Sequence, residues 1–169
     1  MTYRSLLMSG PDRALPTKAL SIRQPWAWAI LFAGKDVENR SWQAVNHGLN
    51  VRGRIAIHAS SGLGKAEYIG VAAWMDEVGI ECPPAIVLQR GGIVGSVEVV
   101  DVVREWHSHW FFGPRGLVLR DPEPCEFIPV KGCLGYFNWR DHLTDDAPEP
   151  AKWMLPKDQP KPEPQGSLL

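Results

Sequence analysis

Residues Ala19-Leu-Ser-Ile-Arg-Gln-Pro-Trp-Ala-Trp-Ala-Ile-Leu-Phe-Ala-Gly-Lys-Asp-Val-Glu-Asn-Arg-Ser-Trp42 decide how the rest of the chain is read. They spell a short strand, a helix opened by Pro25 and stopped by Gly34, and a second strand. Proline suits a first helical turn because its missing N–H has no partner there, and glycine suits the left-handed cap at the far end. Trp26, Ile30 and Ala33 share one face of this helix, and Trp28, Leu31 and Phe32 cover another. A helix apolar nearly all round is buried or leaves an aromatic free for a ligand. If Asp36 to Trp42 is extended, side chains alternate, so Glu38, Arg40 and Trp42 face one side and Val37 the core. Lys35 stands at the turn. Ion-pairing groups and an indole beside a helix end read as a pocket for a small, flat, polar ligand.

Composition bounds what such a pocket belongs to. A chain of 169 residues fits one domain with an ordinary core. No apolar run approaches the roughly 18 residues of a membrane span, so no membrane partner is expected. Cys82, Cys125 and Cys133 form no CxxC pair, and their odd number favours reduced thiols in a cytoplasmic protein over a disulfide framework. Zinc is disfavoured for the same reason, and no cofactor is expected. The net charge of −1 hides an asymmetry. Residues 1–60 carry eight Lys or Arg against three acids, and the segment from Thr144 has three lysines against five acids. Polyanion binding then depends on whether the basic residues share a face.

The chain divides into a loose N-terminal arm over residues 1–18, a folded domain over 19–143, and a Pro- and acid-rich tail over 144–169. Such a tail buries too little apolar surface to offset its ordering entropy. Trp153-Met-Leu155 is the exception and suits docking on the body. Arg54 to Ser60 alternates as a strand, with Ile55, Ile57 and Ala59 inward and Arg54, His58 and Ser60 opposite. A helix from Lys65 carries a stripe of Tyr68, Val71, Met75 and Val78 and stops at Gly79. Further strands are expected over 93–103, 117–120 and 132–139. The sum is an α+β chain with a curled, mainly antiparallel sheet of five to six strands and two to three packed helices.

The segment Gly34-Lys35-Asp-Val-Glu38-Asn-Arg40 resembles the G-K-x-x-E-x-R signature of ASCH domains. Leu20-Ser-Ile-Arg-Gln-Pro-Trp26, Gly53-Arg-Ile-Ala-Ile-His58-Ala-Ser, Gly92-Ile-Val-Gly-Ser-Val-Glu and Gly132-Cys-Leu-Gly-Tyr-Phe are similar to further blocks of that family, in the same order. The resemblance implies a PUA-like β-barrel with a nucleic-acid or nucleoside pocket between barrel and first helix. Its expected partner is RNA, a nucleoside or a nucleotide. It also implies two alternatives, a metal-independent amidohydrolase acting on an N-acylated nucleoside such as N4-acetylcytidine, and a single-strand ribonuclease. In relatives that hydrolyse N4-acetylcytidine, a threonine stands where this chain has Glu38.

On the hydrolase reading Glu38 is a general base on water and Lys35 stabilises the oxyanion of the attacked amide, with Glu105 as a second carboxylate. On the binding reading Lys35 and Arg40 contact phosphate or exocyclic oxygens, and Glu38 accepts from a base N–H. Trp26 or Trp42 stacks on the ring, as unstacked bases are commonly held. Gln24, His58 and Arg115 complete the candidate contacts, with Gly113 offering a backbone N–H at close approach. His107-x-His109 places two imidazoles on one strand face, yet no carboxylate or thiol close by completes a metal site. Trp106 to Phe112 reads better as an aromatic loop over the pocket mouth. A protein-interaction module built on the tail accounts for the tail and leaves the strand motif unexplained.

Overall fold

Strand β3, Gly53–Ala59, shows how the chain is organised, because every residue from Ile55 to Ala59 is buried. A half-exposed strand would alternate; one covered on both faces does not. Ile55, Ile57 and Ala59 face a main core, while Ala56 faces a second core with Ala19, Ile93, Val130 and Trp139. The computed structural model describes residues 14–43 and 47–157. Of the expected arm over residues 1–18, residues 1–13 lie outside them, as does the expected tail beyond residue 157.

β3 sits inside a six-stranded sheet. The other strands are β1 Lys18–Ile22, β2 Val37–Arg40, β4 Gly92–Val103, β5 Arg115–Pro129 and β6 Tyr136–Asn138. Their order is β2-β5-β4-β3-β1-β6. Among the described residues only β1 and β3 run parallel; the other four pairings are antiparallel. Three register shifts in the β4–β5 ladder and one between β3 and β4 add local twist, and the sheet curls into a half-barrel. This is the α+β, PUA-like architecture that the sequence implies, with two α-helices among the described residues.

Helix α1, Trp26–Phe32, fills the open side of the half-barrel with Ala27 and Ile30, which join Leu20, Ile22, Ile57, Val97 and Leu117 in the main core. Each fully buried isoleucine there contributes about 1.5–3 kcal/mol. Helix α2, Lys65–Glu77, ends just before Gly79 and buries Met75 against Ala29, Val37 and Trp110. Its expected stripe is correct in Tyr68, Val71 and Met75, whereas Val78 is exposed and Trp74 takes the packed position.

Two strands depart from expectation. The one expected over 117–120 is the start of the much longer β5, which continues through Pro122 and Pro124. Those prolines are exposed, beside a register shift between Ser96 and Glu98 where a ladder N–H is dispensable. The one expected over 132–139 shrinks to β6, followed by a 3-10 turn at Trp139–His142. At the C-terminal side, Met154 is buried with Leu63, Ala85 and Leu88, and Trp153 stacks on Tyr68 at 5.8 Å.

Candidate functional site

The turn after α1 sets the chemistry. Gly34 takes φ +72°, a conformation glycine adopts without cost, and the chain doubles back so that the Lys35 N–H donates to the Ala29 carbonyl at 3.1 Å. Lys35 is thereby tucked under the helix, 3% exposed. Its Nζ donates to Glu38 Oε2 at 2.8 Å and to the Val37 carbonyl, and lies 5.7 Å from the Trp26 ring centroid. The pleat of β2 puts Glu38 and Arg40 on one face, as the sequence predicts. Arg40 Nη2 lies 3.6 Å from Glu38 Oε1 and donates to the Ser21 carbonyl at 2.8 Å. Arg40 Nε is buried and has no partner among the described residues.

These groups form the floor of an open cavity of about 330 Å³, lined by Ser21, Arg23, Trp26, Lys35, Glu38, Asn39, Arg40 and Phe112. Asn39, on the opposite face of β2, explains why an aromatic wall stands there. Its Nδ2 donates to the Trp110 carbonyl at 2.9 Å, and its Oδ1 accepts from the N–H groups of Phe112 at 2.8 Å and Gly113 at 3.1 Å. The loop after β4 is thus clamped to β2, with Phe112 6.2 Å from Trp26 and 5.2 Å from Trp74. Phe112 remains 58% exposed, an apolar ring presented to whatever enters.

Of the sequence candidates, the structure brings Lys35, Glu38, Arg40 and Trp26 together around this cavity. Gly113 is adjacent to it through its bond to Asn39. The others lie elsewhere. Gln24 is 3% exposed and turned away, donating to the Gln89 carbonyl and accepting from the Trp28 N–H. Trp42 packs on Tyr136 at 5.7 Å and under the Arg40 guanidinium at 5.1 Å. Arg115 is cross-strand from Arg40 but does not line the cavity. His58 is buried in the sheet between Ser21 Oγ at 2.9 Å and the Val130 carbonyl at 2.7 Å. Burial pushes its pKa below the ordinary histidine value, against the opposing pull of the Val130 carbonyl.

Glu105 is exposed and lies outside any helix and outside the cavity lining. His109 lies against Trp74 and Trp110, and His107 against Trp106, so both imidazoles belong to the aromatic loop. Among the described residues no group of three His, Cys, Asp or Glu is placed to hold a metal, and no helix is long and apolar enough to cross a membrane. Ser21, Arg23 and Asn39 are the lining residues missed in the sequence. Asn39 stands inside the motif, yet its role depends on a loop about 70 positions away.

Chemically the floor offers one carboxylate acceptor between two cations. Lys35 has three donors and two are engaged by Val37 and Glu38, so a third is available to a ligand. Two aromatic rings flank the space above. The sequence model of one protein family, described as the ASCH domain, matches residues 20–153, a span that includes every residue lining the cavity. No curated protein matches the chain significantly. With the match covering most of the chain, the motif in place on β2 and the curled sheet around it, the chain belongs to the ASCH domain family.

Proposed function

We propose that the cavity between α1, β2 and the Phe112 loop binds the base of an RNA nucleotide or of a nucleoside. The observation that carries this reading is the floor itself, an acceptor at Glu38 flanked by donors at Lys35 and Arg40, beneath the rings of Trp26 and Phe112. A base presents N–H and carbonyl groups along one edge and an apolar face, and those are the features this arrangement complements. The volume lies near the lower end of the roughly 300–1,000 Å³ typical of small-molecule sites. It suits one base with its sugar better than a run of stacked nucleotides. The PUA-like fold of the family supports RNA as the source of the base.

Titration of intrinsic tryptophan fluorescence with the four ribonucleosides, N4-acetylcytidine and short single-stranded RNA tests this, since Trp26 lines the cavity. A saturable change with at least one of them, lost in Glu38→Gln, is expected. No saturable change with any of them overturns the reading. The amidohydrolase alternative keeps one support, the free donor of Lys35 beside Glu38. Release of cytidine from N4-acetylcytidine, abolished in Glu38→Gln with affinity retained, would turn the binding site into an active site.

A further inference from the structure

We propose that Arg23, on the cavity rim, reads the sugar phosphate of the nucleotide whose base is held below it, and that Glu67 occupies the phosphate's place until a ligand arrives. The ligand is then a nucleotide and not a free nucleoside. This rests on the cavity being a base site.

Arg23 lies in the turn between β1 and α1, and its side chain lines the cavity while remaining 50% exposed. Its Nε and Nη2 donate to Glu67 Oε2 at 2.5 Å and Oε1 at 2.7 Å. Two parallel N–H···O bonds are the fork a guanidinium offers to carboxylate and phosphate alike. Glu67 is the third residue of α2, and its Oε1 also accepts from the Gly64 N–H at 3.3 Å. The carboxylate thus sits over the free N–H groups of a 13-residue helix, where an anion is stabilised by the helix dipole.

Charge bookkeeping points the same way. The cavity is lined by three cations, Arg23, Lys35 and Arg40, and by one carboxylate, Glu38. Lys35 is the close partner of Glu38, and Arg40 stands further off with an unpartnered Nε. With Glu67 offsetting Arg23 from the rim and Glu38 offsetting Lys35, Arg40 carries the one charge left over, which a phosphate neutralises and a neutral base does not. The hydrogen bond between Arg23 and Glu67 is the largest cause holding the carboxyl below its ordinary range and the guanidinium above its own. Both are therefore charged at neutral pH. An exposed ion pair of this kind adds little to stability, so the exchange of Glu67 for a more highly charged anion meets little resistance.

The four ribonucleosides and N4-acetylcytidine, each with and without a 5′- or 3′-phosphate, are titrated against the intact chain by tryptophan fluorescence at low and high salt. The phosphorylated form is expected to bind about tenfold more tightly than its nucleoside, the size of one charge-assisted hydrogen bond. The ratio should shrink with salt. In Arg23→Ala it should collapse to about one, and in Glu67→Gln it should rise, because the competing carboxylate is gone. Nucleoside binding with a ratio of about one in the parent chain, or a ratio unchanged in Arg23→Ala, overturns this inference and leaves the base site standing. Absence of binding by every nucleoside and nucleotide overturns both.

Discussion

Two polar sites meet at Ser21, one on each side of strand β1. Its hydroxyl pairs with His58 Nδ1, and its carbonyl accepts from Arg40. On the His58 side each ring nitrogen has a protein partner, and the backbone closes over the ring so tightly that a Cβ on Gly132 would lie 2.9 Å from it. On the Arg40 side a guanidinium nitrogen has no partner, one lysine proton is free, and about 330 Å³ stays open. Both sites bury groups that sequence inspection counts as candidates. The difference is unsatisfied hydrogen-bonding capacity. A buried polar group whose partners all come from the chain supports the fold, and capacity left over serves a ligand only beside open space, which the unpartnered Asp36 Oδ1 and Tyr136 hydroxyl do not line. Gln24 falls with His58 by this criterion, since both ends of its amide are engaged.

The largest expected effect breaks the comparison at its scaffold end. His58→Leu leaves the buried Val130 carbonyl without a partner and takes one from the half-buried Ser21 hydroxyl, which costs about 2 kcal/mol. Urea unfolding at pH 7.5 should show a lower midpoint at unchanged slope, while nucleoside affinity in the folded fraction stays near that of the parent. Intact stability with lost affinity would move His58 into the binding site.

At the other end, Glu38→Gln keeps the shape of the side chain and a hydrogen bond to Lys35 while removing the charge. Affinity should fall at least tenfold, the scale of a charge-assisted bond. Stability should drop by about 1.5 kcal/mol, less than the roughly 3–5 kcal/mol of a buried pair broken outright, because the glutamine carbonyl still accepts from the buried Lys35 ammonium. A loss of several kcal/mol with binding spared would make Lys35, Glu38 and Arg40 a structural lock.

What the sequence disclosed and what it hid follow from the range of each interaction. Lys35, Glu38 and Arg40 are legible because a glycine turn and a strand pleat, both local, fix their directions. The stop of α2 is legible for the same reason. Asn39 is silent because an asparagine in a strand carries no sign of which loop it will clamp, and Phe111-Phe112-Gly113 reaches it only after β4 has turned back. His58 misleads because alternation assigns it to a side opposite the core, whereas a strand covered on both faces has no free side. The length of β5 is hidden because two prolines argue against a strand, and only a register shift on an exposed stretch admits them.

Asn39 provides a finer test, since it lines the cavity yet has three hydrogen bonds within the chain. Asn39→Ala should cost about 1 kcal/mol, because the loop it holds is partly exposed and water replaces the lost bonds. Affinity should weaken a few-fold through looser placement of Phe112, with the effect mainly on the dissociation rate. A loss as large as that of Glu38→Gln would mean that the amide contacts the ligand directly.

The smallest effect is in the pH dependence of stability. Burial lowers the pKa of His58 in the folded chain, while the unfolded chain titrates near the ordinary value of 6.5. Between those two values the unfolded state binds more protons than the folded one, so stability rises with pH across that window. The unfolding free energy from urea titrations between pH 7.5 and pH 5 should begin to fall as the pH passes below about 6.5, by less than about 1.4 kcal/mol per unit. The slope should be smaller in His58→Leu, with the other histidines present in both chains cancelling in the difference. Equal slopes in the two chains would mean that the imidazole accepts a proton in place without loss. The pair with Ser21 would then be an adaptable contact, and the contrast between the two sides of β1 would rest on the cavity alone.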